Sequence, residues 1–462
     1  MLLFVILGAK VIKRCKLCKK KQSIFRILMY LCAQHKMTLH MNIRMSIILS
    51  TGIIMARYGY DQMNPTLWLI LLLVMTSMAI VLRKWIQSQC ILFYICLFLL
   101  GGLLTSYQEC RNRKPVTYFT MDELSEQDWF LTTAQERRAE IEQKLKGLGI
   151  ENEDFGVIAA MAMGDKTALD KDTKEVYSVA GASHVLAVSG LHISIIFQLL
   201  IMLLGGNRRH IFVILSALVA IWMYVLFIGM PASAVRSATM LSVYGFVTMT
   251  RRNKNSLRSL SIAFTIMLLC NPLYLFDLSF QMSFAAVGSI IVFLPLLSSL
   301  YHPTHRLSQW IWGMLCGSAA AQIGTLPLIT YYFGRISCYS LLTTFIAIPA
   351  AMGILYLCCM LMLMSPFLLL SPTVSLFSWL ITWVAKALVV ITHFANTAFH
   401  LTSLAPGASI DGIHLPLPIL FIIYAALGLV YAGWIKMKRI RNKMARSQED
   451  FSPENALFTN YR

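Results

Sequence analysis

Apolar stretches of roughly 20 residues, the length a helix needs to cross a ~30 Å hydrocarbon core, recur along this chain from Pro65 to Ile435. They run Pro65 to Leu82, Cys90 to Ser106, Ser183 to Leu204, Ile211 to Gly229, Ala232 to Thr250 and Ser259 to Tyr274. Five more follow: Leu278 to Leu300, Ser308 to Tyr332, Ser337 to Met364, Val374 to Ala398 and Leu417 to Ile435. A weaker stretch, Met45 to Ala56, brings the expectation to about 10–13 spans of this length. Lipid offers no hydrogen-bond partners, so each span must satisfy its own backbone, and none shows the ten-residue alternation of a membrane barrel. The expected fold is an all-α polytopic integral membrane protein. The composition agrees: 57% of residues are apolar, 13% are charged, and the mean hydropathy is +0.66.

Basic residues of short loops mark the cytoplasmic side. With the N-terminus inside, the inside loops carry Arg83 and Lys84, Arg208 and Arg209, Arg251, Arg252, Lys254 and Arg258, and Arg306, and the tail adds Lys436 to Arg446. The outside turns Tyr58 to Asn64 and Met230 to Pro231 carry no Lys or Arg, whereas Arg335 is an exception. This pattern predicts a multi-pass inner-membrane protein with cytoplasmic N- and C-termini. It also explains most of the +19 net charge as topology signal facing anionic lipid.

Five segments follow from the pattern. Residues 1–44 form a basic N-terminal segment whose native start is Met1, Met37, Met41 or Met45, and 45–106 hold the first transmembrane helices. Residues 107–182 form an extracytoplasmic loop carrying most of the 21 acidic residues, and 183–436 form a transmembrane domain before a basic tail, 437–462. The loop's second half predicts short amphipathic helices on a solvated cap. Thr133 to Glu136 fits a capping box ahead of Ile141, Leu145 and Leu148; Phe155 to Met163 stops at Gly164; Asp170 or Asp172 caps a third helix that stops at Gly181. Among eleven cysteines only Cys15 and Cys18 make a CxxC, with no second ligand pair near, so no metal site and no cofactor are expected.

Polar residues inside spans are the candidates for function, because burying them in lipid is costly unless they face a cavity or a partner. The densest patch is Ser183, His184, Ser189, Gly190 and His192, followed by Gln198. Read as one helix, His184, Ser189 and His192 fall within an arc of about 140° and make a polar strip. Arg236, Asp277, Gln281, Gln322 and Lys386 are the candidates to face it. Arg236 is served either by an ion pair with Asp277 or by an aqueous lumen or a phosphate. Histidines satisfied by neighbouring carbonyls are the plain alternative for His184 and His192.

Gly164-Asp165-Lys166, then Gly181-Ala-Ser183-His184-Val-Leu-Ala-Val-Ser189-Gly190-Leu-His192, resembles the block that opens the competence domain of the ComEC family. Arg236 in Pro-Ala-Ser-Ala-Val-Arg and Asp277 to Phe284 resemble later blocks of that family, and the likeness extends over about Ala134 to Lys436. The resemblance implies a channel for single-stranded DNA uptake in natural transformation, in contact with membrane lipid. It also implies a periplasmic DNA receptor, a separate nuclease and a cytoplasmic ATPase or strand-binding protein, and it leaves a homodimer open.

Two departures bear on that expectation. The stretch before Ala134 is too short for the oligonucleotide-binding-like barrel of many relatives, and the chain holds no His-x-His-x-Asp-His of their metallo-β-lactamase-like domain. There is no Gly-x-x-x-x-Gly-Lys-Ser/Thr loop either. The expectation is a channel without its own nuclease or ATPase, and not an enzyme. The rival readings are a secondary transporter of a small anionic solute and a degenerate copy without transport activity. An intramembrane serine hydrolase built on Ser189 and a histidine is disfavoured, because two side chains on adjoining turns of one helix point alongside each other.

Overall fold

The computed structural model describes residues 39–59, 64–81, 86–113, 143, 150, 152–165, 167–205, 211–249, 256–370, 375–413 and 415–450. The protein is an all-α polytopic membrane protein. Six helices among the described residues are long and apolar enough to cross a membrane: Ile91–Arg111, Leu278–Ser298, Arg306–Phe333, Ser340–Leu361, Trp379–Ser403 and Leu417–Met437. Shorter apolar helices stand at Pro65–Val81, Gly190–Leu203, Ile211–Phe227 and Ser256–Cys270. The Cys15/Cys18 pair, the Thr133 capping box, Ile141, Leu145, Leu148, Lys166 and the basic loops at Arg83, Arg208 and Arg251 lie outside the described residues.

The chain divides into two compact units. The first holds α1 (Leu39–Tyr58), α2 (Pro65–Val81), α3 (Ile86–Arg113) and nearly all of α9 (Ser256–Cys270). Trp68 and Leu72 of α2 pack with Cys96, Leu99 and Leu100 of α3, and Leu269 of α9 lies against them. A polar seam joins α1 to α9: Ser46 Oγ lies 3.2 Å from the Ser261 carbonyl and 3.0 Å from Thr265 Oγ1. Without water, such hydroxyl pairs are a main source of helix adhesion in lipid.

In the second unit come α4 (Asn152–Ile158), which runs into a π turn at Ala159–Met163, α5 (Lys171–Val179), α6 (Gly190–Leu203), α7 (Ile211–Phe227) and α8 (Ala232–Met249). After them stand α10 (Leu278–Ser298), α11 (Arg306–Phe333), α12 (Ser340–Leu370), α13 (Ser375–Ser403) and α14 (Leu417–Asp450). A two-stranded antiparallel ribbon, β1 (Arg335–Ser337) with β2 (Ser409–Asp411), pairs Ile336 with Ile410. On α11, Gly324 sits so close to α10 that an added Cβ would collide with Ser289 Oγ and the Ala285 carbonyl. Tyr424 of α14 donates to the Gly324 carbonyl at 2.6 Å. The basic tail begins as helix: α14 continues unbroken past its apolar part to Asp450.

Several expectations change here. The segment Phe155 to Met163 stops at Gly164 as expected, with that residue in the left-handed region at φ 75°, yet it is no part of a solvated cap. Ile158, Ala159, Met161 and Met163 are buried in one cluster with Ala351 and Ile354 of α12 and Leu388 and Phe399 of α13. Nine apolar residues are too few to span the membrane, and burial against two long helices is how this segment leaves water. The stretch Ser183 to Leu204 is not one helix, since α6 begins only at Gly190. Likewise Ser337 belongs to β1, and α12 starts at Ser340.

Candidate functional site

The approach to α6 is set by Gly181. Its φ of +79° suits glycine, and a Cβ there would lie 2.7 Å from Ser337 Oγ and from Ser340 Cβ. The chain therefore reverses after α5 and passes through Ala182 to Val188 without helix, with Ala182, Val185, Leu186 and Val188 buried. Ser183 and His184 are exposed on this connection rather than aligned along α6, so the single polar strip does not form. The physical reason is the capping of α6. Ser189 is its N-cap in extended conformation (φ −109°, ψ 173°), and His192, three residues on, closes the capping box.

The Ser189 N–H donates to His192 Nδ1 at 3.1 Å, and Ser189 Oγ lies 2.8 Å from the same atom. Because Nδ1 accepts a backbone N–H, the neutral ring carries its proton on Nε2. His192 is fully buried, and Nε2 has no hydrogen-bond partner among the described residues. The Ser–His distance corrects the argument from helix geometry: the two side chains do reach each other, since Ser189 precedes the helix. Nδ1 is nevertheless occupied by the cap, and among the described residues no third group orients Nε2 as a catalytic triad requires.

Helix α8 packs on this N-terminus through small polar residues. A Cβ at Gly190 would stand 2.9 Å from Ser237 Oγ, and Ser233 Oγ donates to the Val188 carbonyl at 2.5 Å. Between those serines Arg236 turns inward, with 4% of its side chain exposed, and its Nη1 lies 3.4 Å from Asp277 Oδ2. Asp277 is the N-cap of α10, its Oδ2 accepting the Phe280 N–H at 3.2 Å, and its side chain is 43% exposed. The ion pair expected for Arg236 is present.

The remaining candidates scatter. Gln281 Oε1 accepts from Tyr332 at 2.9 Å and ties α10 to α11, while Gln322 is half-buried on α11. Gln198 is exposed on α6, and Lys386 is exposed on α13 with its ammonium 5.6 Å from the Trp383 ring centre. Asp165 accepts from the Thr167 N–H and hydroxyl at 2.8 and 2.7 Å, which makes it a turn former.

Sequence reasoning missed a second polar group. Tyr177 of α5 donates to Asn396 Oδ1 at 2.6 Å, Asn396 Nδ2 donates to Asp154 Oδ1 at 2.7 Å, and His393 Nδ1 lies 3.5 Å from Asp154 Oδ2. Burial, with Asp154 and Glu153 adding to it, pushes the Tyr177 phenol up, so it remains a donor. Asn396 inside an apolar span was the available signal. Arg335 was set aside as a topology exception, yet it donates to Asp411 at 2.5 Å, to Glu175 at 2.9 Å and to Ser178 at 3.1 Å, joining the ribbon to α5. Those bonds, Asp411 first, push its guanidinium pKa up.

A family profile described as Competence protein matches residues 161–437. The chain is 30% identical over 253 residues to ComE operon protein 3 of Bacillus subtilis, covering 52% of this chain and 30% of that protein. It is 23% identical over 231 residues to Recombination protein 2 of Haemophilus influenzae, covering 46% of this chain and 28% of that one. The chain thus spans under a third of the length of these curated relatives. No solved structure matches it.

Proposed function

The chain belongs to the competence protein family, and from that membership we propose that it is an inner-membrane channel passing single-stranded DNA into the cytoplasm during natural transformation. The observation that carries this reading is a coincidence of place. The matched stretch, 161–437, contains the whole polar cluster of Ser189, Gly190, His192, Ser233, Arg236, Ser237 and Asp277. In a membrane bundle, buried ionisable groups mark a substrate path or a two-state contact beside one. A strand brings one negative charge per nucleotide into a low-dielectric slab, so its route needs polar or positive walls.

The proposal extends to the surroundings of the channel. It is not an enzyme, and the pulling force and the removal of the second strand come from partners: a periplasmic DNA receptor, a separate nuclease and a cytoplasmic ATPase or strand-binding protein. Both termini face the cytoplasm in this scheme, and a homodimer is the assembly to test first. The basic loops of the sequence support the orientation.

The test is rescue of transformation. The chain and its His192→Ala and Arg236→Ala variants are expressed in a competent bacterium lacking its own channel, membrane abundance is measured, and transformants are counted. The expected result is rescue by the wild type and at least a tenfold loss in each variant at equal abundance. Wild-type protein in the membrane without rescue overturns the reading. Proton- or sodium-coupled uptake of a small anion by proteoliposomes holding the purified chain would then establish a transporter.

A further inference from the structure

Helix α13 presents two adjoining stripes that the rest of the described structure leaves uncovered. On a helix turning 100° per residue, Lys386, His393 and His400 fall within an arc of about 40°, and Trp379, Trp383 and Phe394 within about 60° beside it. All six are exposed: Trp379 at 59%, Trp383 at 55%, Phe394 at 63% and the His393 side chain at 75%, with Lys386 and His400 in the same class. Leu388 and Phe399, on the opposite side of the helix, are buried against α4 and α12. No Asp or Glu occurs between Ser375 and Ser403.

Lipid suits only half of this surface. Trp379–Ser403 is a span by length and composition, and Lys386 and His393 lie near its middle, where an ionisable side chain on a lipid-facing surface is costly. The aromatic stripe taken alone would face acyl chains comfortably. The two stripes together match one kind of occupant: stacking rings on one side for bases and cationic groups on the other for phosphates. Trp379 and Trp383 stand one turn apart, about 6 Å along the axis, with ring centres 5.9 Å from each other. Lys386 is held over the Trp383 ring, which places the cation against the platform. Asp154 answers His393 at 3.5 Å, so the phosphate-facing charge concentrates at Lys386.

We infer that this face of α13 is the surface along which a single nucleic-acid strand runs, with bases against Trp379, Trp383 and Phe394 and phosphates against the Lys386 side. The inference rests on the channel reading and adds to it the helix that carries the strand.

Photo-crosslinking tests it. A benzophenone amino acid is placed at Trp383 or Phe394, and at Phe421 on α14 as the control. Phe421 is 66% exposed on a helix of whose apolar window only 6% is buried. The purified full chain in nanodiscs is irradiated with a 5′-labelled oligothymidylate. Adducts at 383 and 394 but not at 421, reduced at least fivefold by Lys386→Gln, are the expected result. Absence of adducts at 383 and 394, equal adducts at 421, or adducts at 383 only to lipid or to a second copy of the chain overturns the inference. Transformation by the wild-type chain reads the parent proposal separately. Rescue without adducts removes only the α13 surface, and adducts without rescue remove only the channel.

Discussion

Arg236 and Asp277 form an unequal pair: the guanidinium is buried to 4% exposure, while the carboxylate 3.4 Å away is 43% exposed and also caps α10. Removing one partner of a buried pair costs about 3–5 kcal/mol when the charge left behind is buried, whereas Asp277, 43% exposed, is left to water when Arg236 is removed. The two halves of the pair should therefore respond very differently to mutation.

The expected order of destabilisation is Asp277→Ala, then Asp277→Asn, then Arg236→Met. Asp277→Asn keeps a capping oxygen, and its advantage over alanine should be about 1 kcal/mol. Unfolding in detergent, followed by tryptophan fluorescence, measures all three. Equal losses for Arg236→Met and Asp277→Ala would show that the pair is not the source of the asymmetry.

Gly181 combines two requirements, a left-handed backbone and a close approach. Its φ is +79° and the space for a Cβ is taken by Ser337 and Ser340, whereas Gly412 has φ +82° with nothing within 4 Å. Alanine at 412 should cost about 1 kcal/mol of backbone strain. Alanine at 181 should cost clearly more and lower hydrogen-exchange protection in α5 and β1. Similar costs at the two positions would mean that Ser337 and Ser340 move aside freely.

Tyr177 and Asn396 should be coupled. Tyr177→Phe removes one donor and leaves Asn396 Oδ1 short of a partner, about 1 kcal/mol, while Asn396→Leu strands Tyr177 and takes one of its partners from Asp154, about 2–3 kcal/mol. The double variant should be less destabilised than the sum of the two. Strict additivity in a double-mutant cycle would argue against the shared network.

The Ser189 hydroxyl belongs to a helix cap, so it should remain unlabelled by a fluorophosphonate probe over the pH range in which the protein is folded. Ser189→Ala should cost about 1 kcal/mol. A covalent adduct at Ser189 would return the serine-hydrolase reading.

How far the sequence led can be judged at particular residues. The spans were legible because hydropathy over 20 residues averages out local chemistry, and Gly164, Asp170 and Gly181 were legible because they punctuate helices by their own conformational preferences. The start of α6 was hidden for the same reason that the spans were visible: Val185 to Val188 are apolar enough to read as helix, and a histidine at the third helical position is not the Glu or Gln of the usual capping box. The burial of Ile158 and Met161 was hidden because their cover comes from α12 and α13, well over a hundred residues away, and no local pattern announces a partner that distant. Arg236 with Asp277 was named in advance because few ionisable groups stand inside the spans, so few pairings were open. The Asp154–Asn396–Tyr177 chain joins three elements that only the fold brings together.

The π turn at Ala159–Met163 means that this segment holds one residue more than an α-helical ladder accommodates. Tyr224 of α7 donates to the Ala162 carbonyl at 2.8 Å, within the turn. The wedge of α4 is thereby locked in register by a side chain from another helix. Deleting one alanine from Ala159–Ala160 would convert the turn to plain α-helix and leave everything upstream in nearly the same orientation relative to Met163, with Asp154 still facing Asn396, because the turn already absorbs the extra residue. The turn is thus the place where this segment absorbs a one-residue deletion, whereas the same deletion within α4 itself would rotate what lies upstream by about 100°.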